Sequence, residues 1–110
     1  MMNQDQALLA LAALAHPVRL EGFRLLVRNE PDGVPTGRLV TASGLTQSTL
    51  STHLAVLAKA GLVTAERRGR QQIQRASLDT LRALMIFLAK DCCEGRTELC
   101  APLLADLTCY

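Results

Sequence analysis

The cysteines near the C-terminus are the residues of this 110-residue sequence best suited to binding a metal or metalloid. Cys92 and Cys93 are adjacent, and Cys100 follows after six further residues, 94–99. Thiolate sulfur is a soft ligand that selects soft acceptors, and the cluster contains no histidine. Three thiolates therefore favour trivalent arsenic or antimony over magnesium, calcium or nickel.

The spacing of these cysteines also limits the backbone that can carry them. Adjacent side chains of a helix point about 100° apart, so Cys92 and Cys93 could not bind one ion from a regular helix. Gly95 allows the preceding helix to end at this point. We therefore expect the chain after the pair to fold back and bring Cys100 to the same ion.

Length and composition indicate one domain, which we take as residues 1–110 with a cysteine-containing tail from about residue 92. A chain with 49% hydrophobic residues can bury a core without disulfides or metal. No run of about eighteen apolar residues is present, so no membrane span is expected. Residues 3–6 are polar and do not resemble a secretory signal, which predicts a cytoplasmic protein with reduced thiols.

The spacing of apolar residues predicts five helices, at 4–15, 17–28, 37–43, 47–60 and 78 to about 91. Gly44 and Gly61 follow the third and fourth helices, where a C-cap glycine belongs, and Thr46 is placed to cap the fourth. The last helix carries an apolar stripe that we expect to be buried, made of Leu81, Leu84, Met85 and Leu88.

A β-hairpin with a basic tip is predicted after the fourth helix. Residues 62–67 and 72–77 alternate as strands do, and they flank a turn at 68–71. Segment 65–77 has four arginines and one glutamate, although the whole chain has a net charge of only +2. Such a local basic excess is typical of phosphate binding, and Arg67, Arg68 and Arg70 are the residues expected to bind phosphate or a narrow minor groove.

Two short helices joined by a glycine-containing turn and followed by a basic hairpin predict a winged helix-turn-helix. The fold class is therefore mainly α with a small β-hairpin, with about five helices and a two-stranded wing. The fourth helix would enter the major groove of double-stranded DNA. Glutamine can pair with adenine and hydroxyl groups can bond several base edges. The residues expected to contact bases are Gln47, Ser48, Thr49, Ser51 and Thr52.

Other interpretations of the same residues remain open. The polar residues could simply cap a helix, the arginines could form a solvated turn, and the fold could serve protein interaction without DNA. His16 is placed at a helix start and His53 at the edge of the core. Neither histidine has an evident nucleophile or acid partner, so an enzyme is not expected.

Three segments carry a resemblance to a known family: LAHPVRLEGFRLL, GLTQSTLSTHLAVLAKAGLV and ERRGRQQIQ. Over about residues 10–100 the sequence resembles the ArsR/SmtB family of metal-responsive repressors. The resemblance implies a homodimer whose first and last helices form the interface. It also implies that two recognition helices bind a near-palindromic operator with half-sites about 34–36 Å apart.

The resemblance narrows the position of the sensor. The stretch GRLVTAS lacks the Cys-x-Cys pair that arsenic and cadmium sensors often carry on the third helix, and residues 78–91 lack the histidines of zinc and nickel sensors. Cys92, Cys93 and Cys100 resemble the C-terminal cysteines of arsenite-responsive members. This implies release of the operator by As(III), with Sb(III) as a second inducer.

Three alternatives for the cysteines stay open. Cys109 supplies a fourth thiol, so the four cysteines could form a structural, tetrahedral zinc site. Resembling family members also sense oxidants by forming disulfides, which makes a thiol redox or persulfide switch an alternative. The cysteines could finally be incidental.

Overall fold

The computed structural model describes residues 2–89 together with Pro102 and Asp106. All four cysteines lie outside the described residues, so the thiolate site stays a prediction. The described part confirms the predicted fold class, with five helices and a small antiparallel sheet. The elements are α1 (Gln4–Leu14), α2 (Pro17–Arg28), β1 (Val34–Pro35), α3 (Thr36–Ser43), α4 (Gln47–Lys59), β2 (Val63–Arg68), β3 (Gln71–Ala76) and α5 (Leu78–Ala89).

Side-chain caps explain where the first two helices begin. The Asn3 side chain accepts a hydrogen bond from the Gln6 backbone at 2.8 Å, and the Gln6 side chain accepts one from the Asn3 backbone at 2.9 Å. This reciprocal capping box satisfies two N–H groups that the helix leaves unpaired. At α2, His16 Nδ1 accepts from the Val18 backbone at 3.1 Å and Pro17 takes the first helical position. The predicted role of His16 at a helix start is confirmed.

Helices α3 and α4 form the helix-turn-helix unit. Gly44 ends α3 with φ at 70°, a left-handed conformation that glycine adopts without steric cost. Thr46 then caps α4 by accepting a hydrogen bond from the Thr49 backbone at 3.2 Å. Both caps match the sequence prediction, and they fix the turn between the two helices.

The wing has a shorter loop and one more strand than the sequence predicts. Strands β2 and β3 pair from Val63–Ala76 to Arg68–Gln71, which leaves only Gly69 and Arg70 in the loop. Strand β1 pairs with the other edge of β3, so the sheet has three strands in the order β1-β3-β2. A two-residue strand is too short to show alternation, which is why the two-stranded prediction omits it.

The core lies between the helical layer and the inner face of the sheet. Its most deeply buried large side chains are Leu26, Leu57, Leu62 and Val34. Helix α1 contributes alanines to this core, since Ala7, Ala10 and Ala13 are at most 2% exposed. None of the described helices is long and apolar enough to cross a membrane.

The predicted buried stripe of α5 is wrong for two of its four residues. Leu84 is buried and Leu81 is partly buried, but Met85 is 38% and Leu88 is 53% exposed. Periodicity identifies an apolar face without showing whether the same chain covers it. Together with leucines of α1 these side chains form a large exposed set, called here the α1–α5 apolar surface: Leu8, Leu9, Leu11, Met85, Ile86 and Leu88.

Candidate nucleic-acid interface

Helix α4 presents a polar face away from the core. Leu50 and Leu57 are buried, whereas Ser48 and Thr52 lie on the opposite side of the helix and Ser51 lies on its flank, and all three are exposed. Gln47 and Thr49, in the first turn, are exposed as well. The five residues expected to contact bases thus all lie exposed in the first half of one helix.

Hydrogen bonds divide these five residues into two groups. Thr49 belongs to the cap of the helix, because its hydroxyl oxygen accepts a bond from the Thr46 hydroxyl at 3.0 Å. The Thr52 hydroxyl donates to the Ser48 carbonyl at 3.1 Å, which leaves its lone pairs able to accept. Among the described residues the side chains of Gln47, Ser48 and Ser51 have no hydrogen-bond partner. These three side chains are the ones most available to base edges.

A cluster of His16, Arg19 and His53 attaches α4 to the first two helices. The two imidazole rings lie 4.6 Å apart between centroids, and Arg19 Nη1 lies 3.2 Å from His53 Nδ1. Arg19 Nε also donates to the Ala13 carbonyl at the end of α1, at 2.6 Å. Burial lowers the pKa of His53, and the nearby His16 and Arg19 lower it further. His53 is half-buried at the edge of the core as predicted, but its contact with Arg19, 34 residues away, was not predicted.

The three wing arginines have different surroundings. Arg67 and Arg70 are exposed and have no hydrogen-bond or ion-pair partner among the described residues. Arg68 donates from Nη1 to the Asp32 carbonyl at 2.9 Å and from Nη2 to the Glu66 carboxylate. Arg67 and Arg70 are therefore available to bind phosphate, whereas the Arg68 side chain already makes two contacts with other residues of the chain.

The loop of residues 29–33 lies against the outer face of the wing. Arg75 binds both carboxylate oxygens of Glu30, at 3.1 and 2.9 Å, and the Glu30 side chain is only 10% exposed. This hydrogen bonding, together with the negative charge of Glu30, raises the pKa of Arg75. Gly33 has φ at 77°, and a Cβ atom there would lie 2.6 Å from Ile73 Cγ2. The loop and the strand are thus in close contact at this glycine.

A second connection joins the wing to the helix-turn-helix unit. The Gln74 side chain is buried and donates to the Thr36 hydroxyl at 3.2 Å, and Thr36 in turn donates to the Gln72 carbonyl at 3.1 Å. Since Thr36 begins α3, these bonds fix the helix-turn-helix unit relative to strand β3. Sequence reasoning missed both this connection and the Arg75–Glu30 pair, whose members are 45 residues apart.

Within the described residues no group of three histidine, cysteine, aspartate or glutamate side chains could hold a metal ion. The predicted ligands Cys92, Cys93 and Cys100 lie outside that part of the chain. The described geometry is instead that of a nucleic-acid interface, with a polar helix face beside a wing that carries free arginines.

Comparisons with known proteins agree with this geometry. A helix-turn-helix domain family matches residues 14–66. The transcriptional activator HlyU of Vibrio cholerae is 30% identical over 93 residues, which cover 84% of this chain and 83% of that protein. A structure of reduced HlyU from the same organism is 28% identical with a TM-score of 0.63, covering 82% of this chain and 93% of HlyU.

A second solved relative is the homodimeric winged helix-turn-helix DNA-binding domain of a possible ArsR-family transcriptional regulator from Mycobacterium bovis. It is 30% identical to this chain, with a TM-score of 0.64 and 76% of each chain covered. The fold, the exposed polar face of α4 and the sequence similarity all indicate the same family. The chain belongs to the ArsR/HlyU-type family of winged helix-turn-helix transcriptional regulators.

Proposed function

We propose that this regulator is a homodimeric repressor that binds a near-palindromic operator and releases it when As(III) binds Cys92, Cys93 and Cys100. The observation that carries the DNA-binding part is the exposed polar face of α4 beside Arg67 and Arg70, which have no partner among the described residues. Gln47, Ser48 and Ser51 would contact base edges, while the two arginines would bind phosphates.

The α1–α5 apolar surface supports a homodimer. Leu8 and Leu88 are 55% and 53% exposed, which leaves large apolar side chains in water on two helices that contact each other. Exposed apolar patches mark protein interfaces. The relative from Mycobacterium bovis is homodimeric. A two-fold dimer built on this surface would present two copies of α4 to successive major grooves.

The proposal for As(III) rests on the chemistry of the cysteines. Soft thiolates suit a soft, trivalent acceptor, and Cys92 follows soon after Ala89, the last described residue of α5. Ligand binding can release DNA only if the ligand has different affinities for the bound and free conformations. Allosteric coupling between two sites is typically about 1–3 kcal/mol, which would be roughly 5–150-fold in DNA affinity.

The experiment is an arsenite titration of a complex between the protein and an operator duplex, followed by fluorescence anisotropy. Arsenite should release wild-type protein and leave the Cys92→Ser variant bound, while Cys109→Ser serves as the matched control and should respond as wild type does. A wild-type complex that stays intact at saturating arsenite would refute the sensor. Zinc in a parallel titration tests the four-cysteine alternative, which predicts that Cys109→Ser loses zinc and folds less stably.

A thiol redox or persulfide sensor is the second candidate, and one comparison favours it, because HlyU has been solved in a reduced form. Peroxide or polysulfide should then release DNA without arsenite, and a reductant should restore binding.

HlyU is an activator by name, so the direction of control also needs a test. A promoter placed under the operator should be silenced by this protein if it is a repressor.

A further inference from the structure

Glu66 is the single acidic residue in the basic segment 65–77. Its Oε1 atom accepts a hydrogen bond from Arg68 Nη2 and lies 3.9 Å from Arg75 Nη1. The side chains of Glu66 and Arg68 are 43% and 48% exposed, so the pair is open to solvent. One carboxylate oxygen therefore faces two of the four arginines of the wing.

The strand geometry explains why Glu66 engages Arg68 and not Arg67. Side chains two residues apart lie on the same face of a strand, so Glu66 and Arg68 share the outer face of β2 while Arg67 lies on the other face. The second amino group of Arg68 donates to the Asp32 carbonyl in loop 29–33. Both contacts hold the guanidinium against the protein, beside the loop.

We propose that Glu66 restrains the affinity of the wing for DNA by holding Arg68 away from phosphate. The inference depends on the proposed DNA binding by the wing. Glu66 competes with phosphate for Arg68 Nη2, and its carboxylate also repels the phosphate. Phosphate forms charge-assisted bonds with arginine, so Arg68 becomes available to a phosphate once the charge of Glu66 is removed.

The size of the effect follows from the number of phosphate contacts. Each contact steepens the dependence of log affinity on log salt by about 0.9. Freeing Arg68 in both subunits of a dimer should therefore steepen the slope by about 1.8. Glu66→Gln keeps the size of the side chain but removes its charge. We expect this variant to bind DNA more tightly than wild type, and its advantage should grow about twelvefold as salt falls from 200 to 50 mM, because a fourfold dilution is raised to the power of about 1.8.

The experiment measures DNA affinity by fluorescence anisotropy at four salt concentrations, with full-length protein and one labelled duplex. Glu21→Gln is the matched control, because it removes the same charge from an exposed position on α2. The double variant Glu66→Gln/Arg68→Ala tests whether the gain passes through Arg68. Glu66→Ala repeats the charge removal without an amide, and circular dichroism checks that each variant is folded.

Tighter binding and a steeper slope for both Glu66 variants, absent from the Glu21 control and lost in the double variant, would support the inference. Affinity and slope equal to wild type would overturn it. A gain of the same size in the double variant would also overturn it, because the carboxylate would then act by repulsion alone. If the wild-type protein binds no DNA, the proposed function fails. This outcome is distinguishable from failure of the inference about Glu66, in which the wild-type protein still binds DNA.

Discussion

Removing Arg67 and Arg70 from the wing should reduce the salt dependence of DNA binding by an amount that follows from the number of phosphates they contact. Arg67 and Arg70 are exposed and make no hydrogen bond or ion pair among the described residues, so both can neutralise phosphates. If each contacts one phosphate in each subunit of a dimer, Arg67→Ala/Arg70→Ala removes four contacts. At about 0.9 per contact, the slope of log affinity against log salt should fall by about 3.6.

The assay is fluorescence anisotropy of a labelled duplex between 50 and 200 mM salt. Over this range a slope change of about 3.6 corresponds to roughly two orders of magnitude in affinity. The control variant Arg24→Ala/Arg28→Ala removes the same charge from exposed positions on α2 and should keep the wild-type slope. An unchanged slope in the wing variant, or an equal fall in the control, would refute phosphate binding by the wing.

Three further predictions concern the dimer, the loop beside the wing and the histidine on α4. The double variant Leu8→Ser/Leu88→Ser should sediment as a monomer in sedimentation velocity, and the urea midpoint of a diluted sample should not fall. A variant that still sediments as a dimer would contradict the assignment of the interface. Gly33→Ala combines a strained φ with a Cβ atom that would lie 2.6 Å from Ile73 Cγ2, so the free energy of unfolding of this variant should fall by about 2–4 kcal/mol. In the control Gly37→Ala the new Cβ atom meets no described atom within 4 Å, and this variant should be neutral or stabilising. Because the fold lowers the pKa of His53, the stability linked to this residue is complete above the ordinary histidine pKa of about 6.5 and is lost as the pH falls below it. His53→Gln should therefore reduce the difference between unfolding free energies at pH 7.5 and 5.5, and an unchanged difference would argue against this role.

Local features of the fold could be predicted from the sequence because they depend on neighbouring residues. The cap at Thr46 and the glycine at position 44 each act within one turn of the chain, and both lie where the sequence places them. The hairpin was also found, although its loop is shorter than predicted. Residue types with strong local preferences thus determine most element boundaries.

Contacts between distant segments could not be predicted in the same way. Arg75 and Glu30 lie far apart in sequence and come together only because loop 29–33 covers the outer face of β3. The same packing brings the Asp32 carbonyl to Arg68, so an arginine expected to bind phosphate is held by the protein. Charge counts along the chain give the number of arginines but not which of them are already paired.

The exposed residues of α5 show a related limit. Met85 and Leu88 fit an apolar stripe, and the sequence cannot distinguish a stripe covered by the same chain from one covered by a second subunit. In α1 the buried positions are occupied by alanines, and the leucines are exposed. The resemblance implies an interface on the first and last helices, and exposed leucines there are what that interface would require, while the dimer itself stays a proposal.

The most direct test of DNA reading by α4 is selection from randomised duplexes, with the bound fraction sequenced for wild type and for Gln47→Ala. Wild-type protein should enrich a near-palindromic site whose half-sites are centred about 10–10.5 base pairs apart, one helical turn. The Gln47 variant should keep the site but lose base preference at one symmetric pair of positions, at a cost of about 1–3 kcal/mol each. No enriched site for wild type, or unchanged base preference at every position in the variant, would contradict sequence reading by this helix.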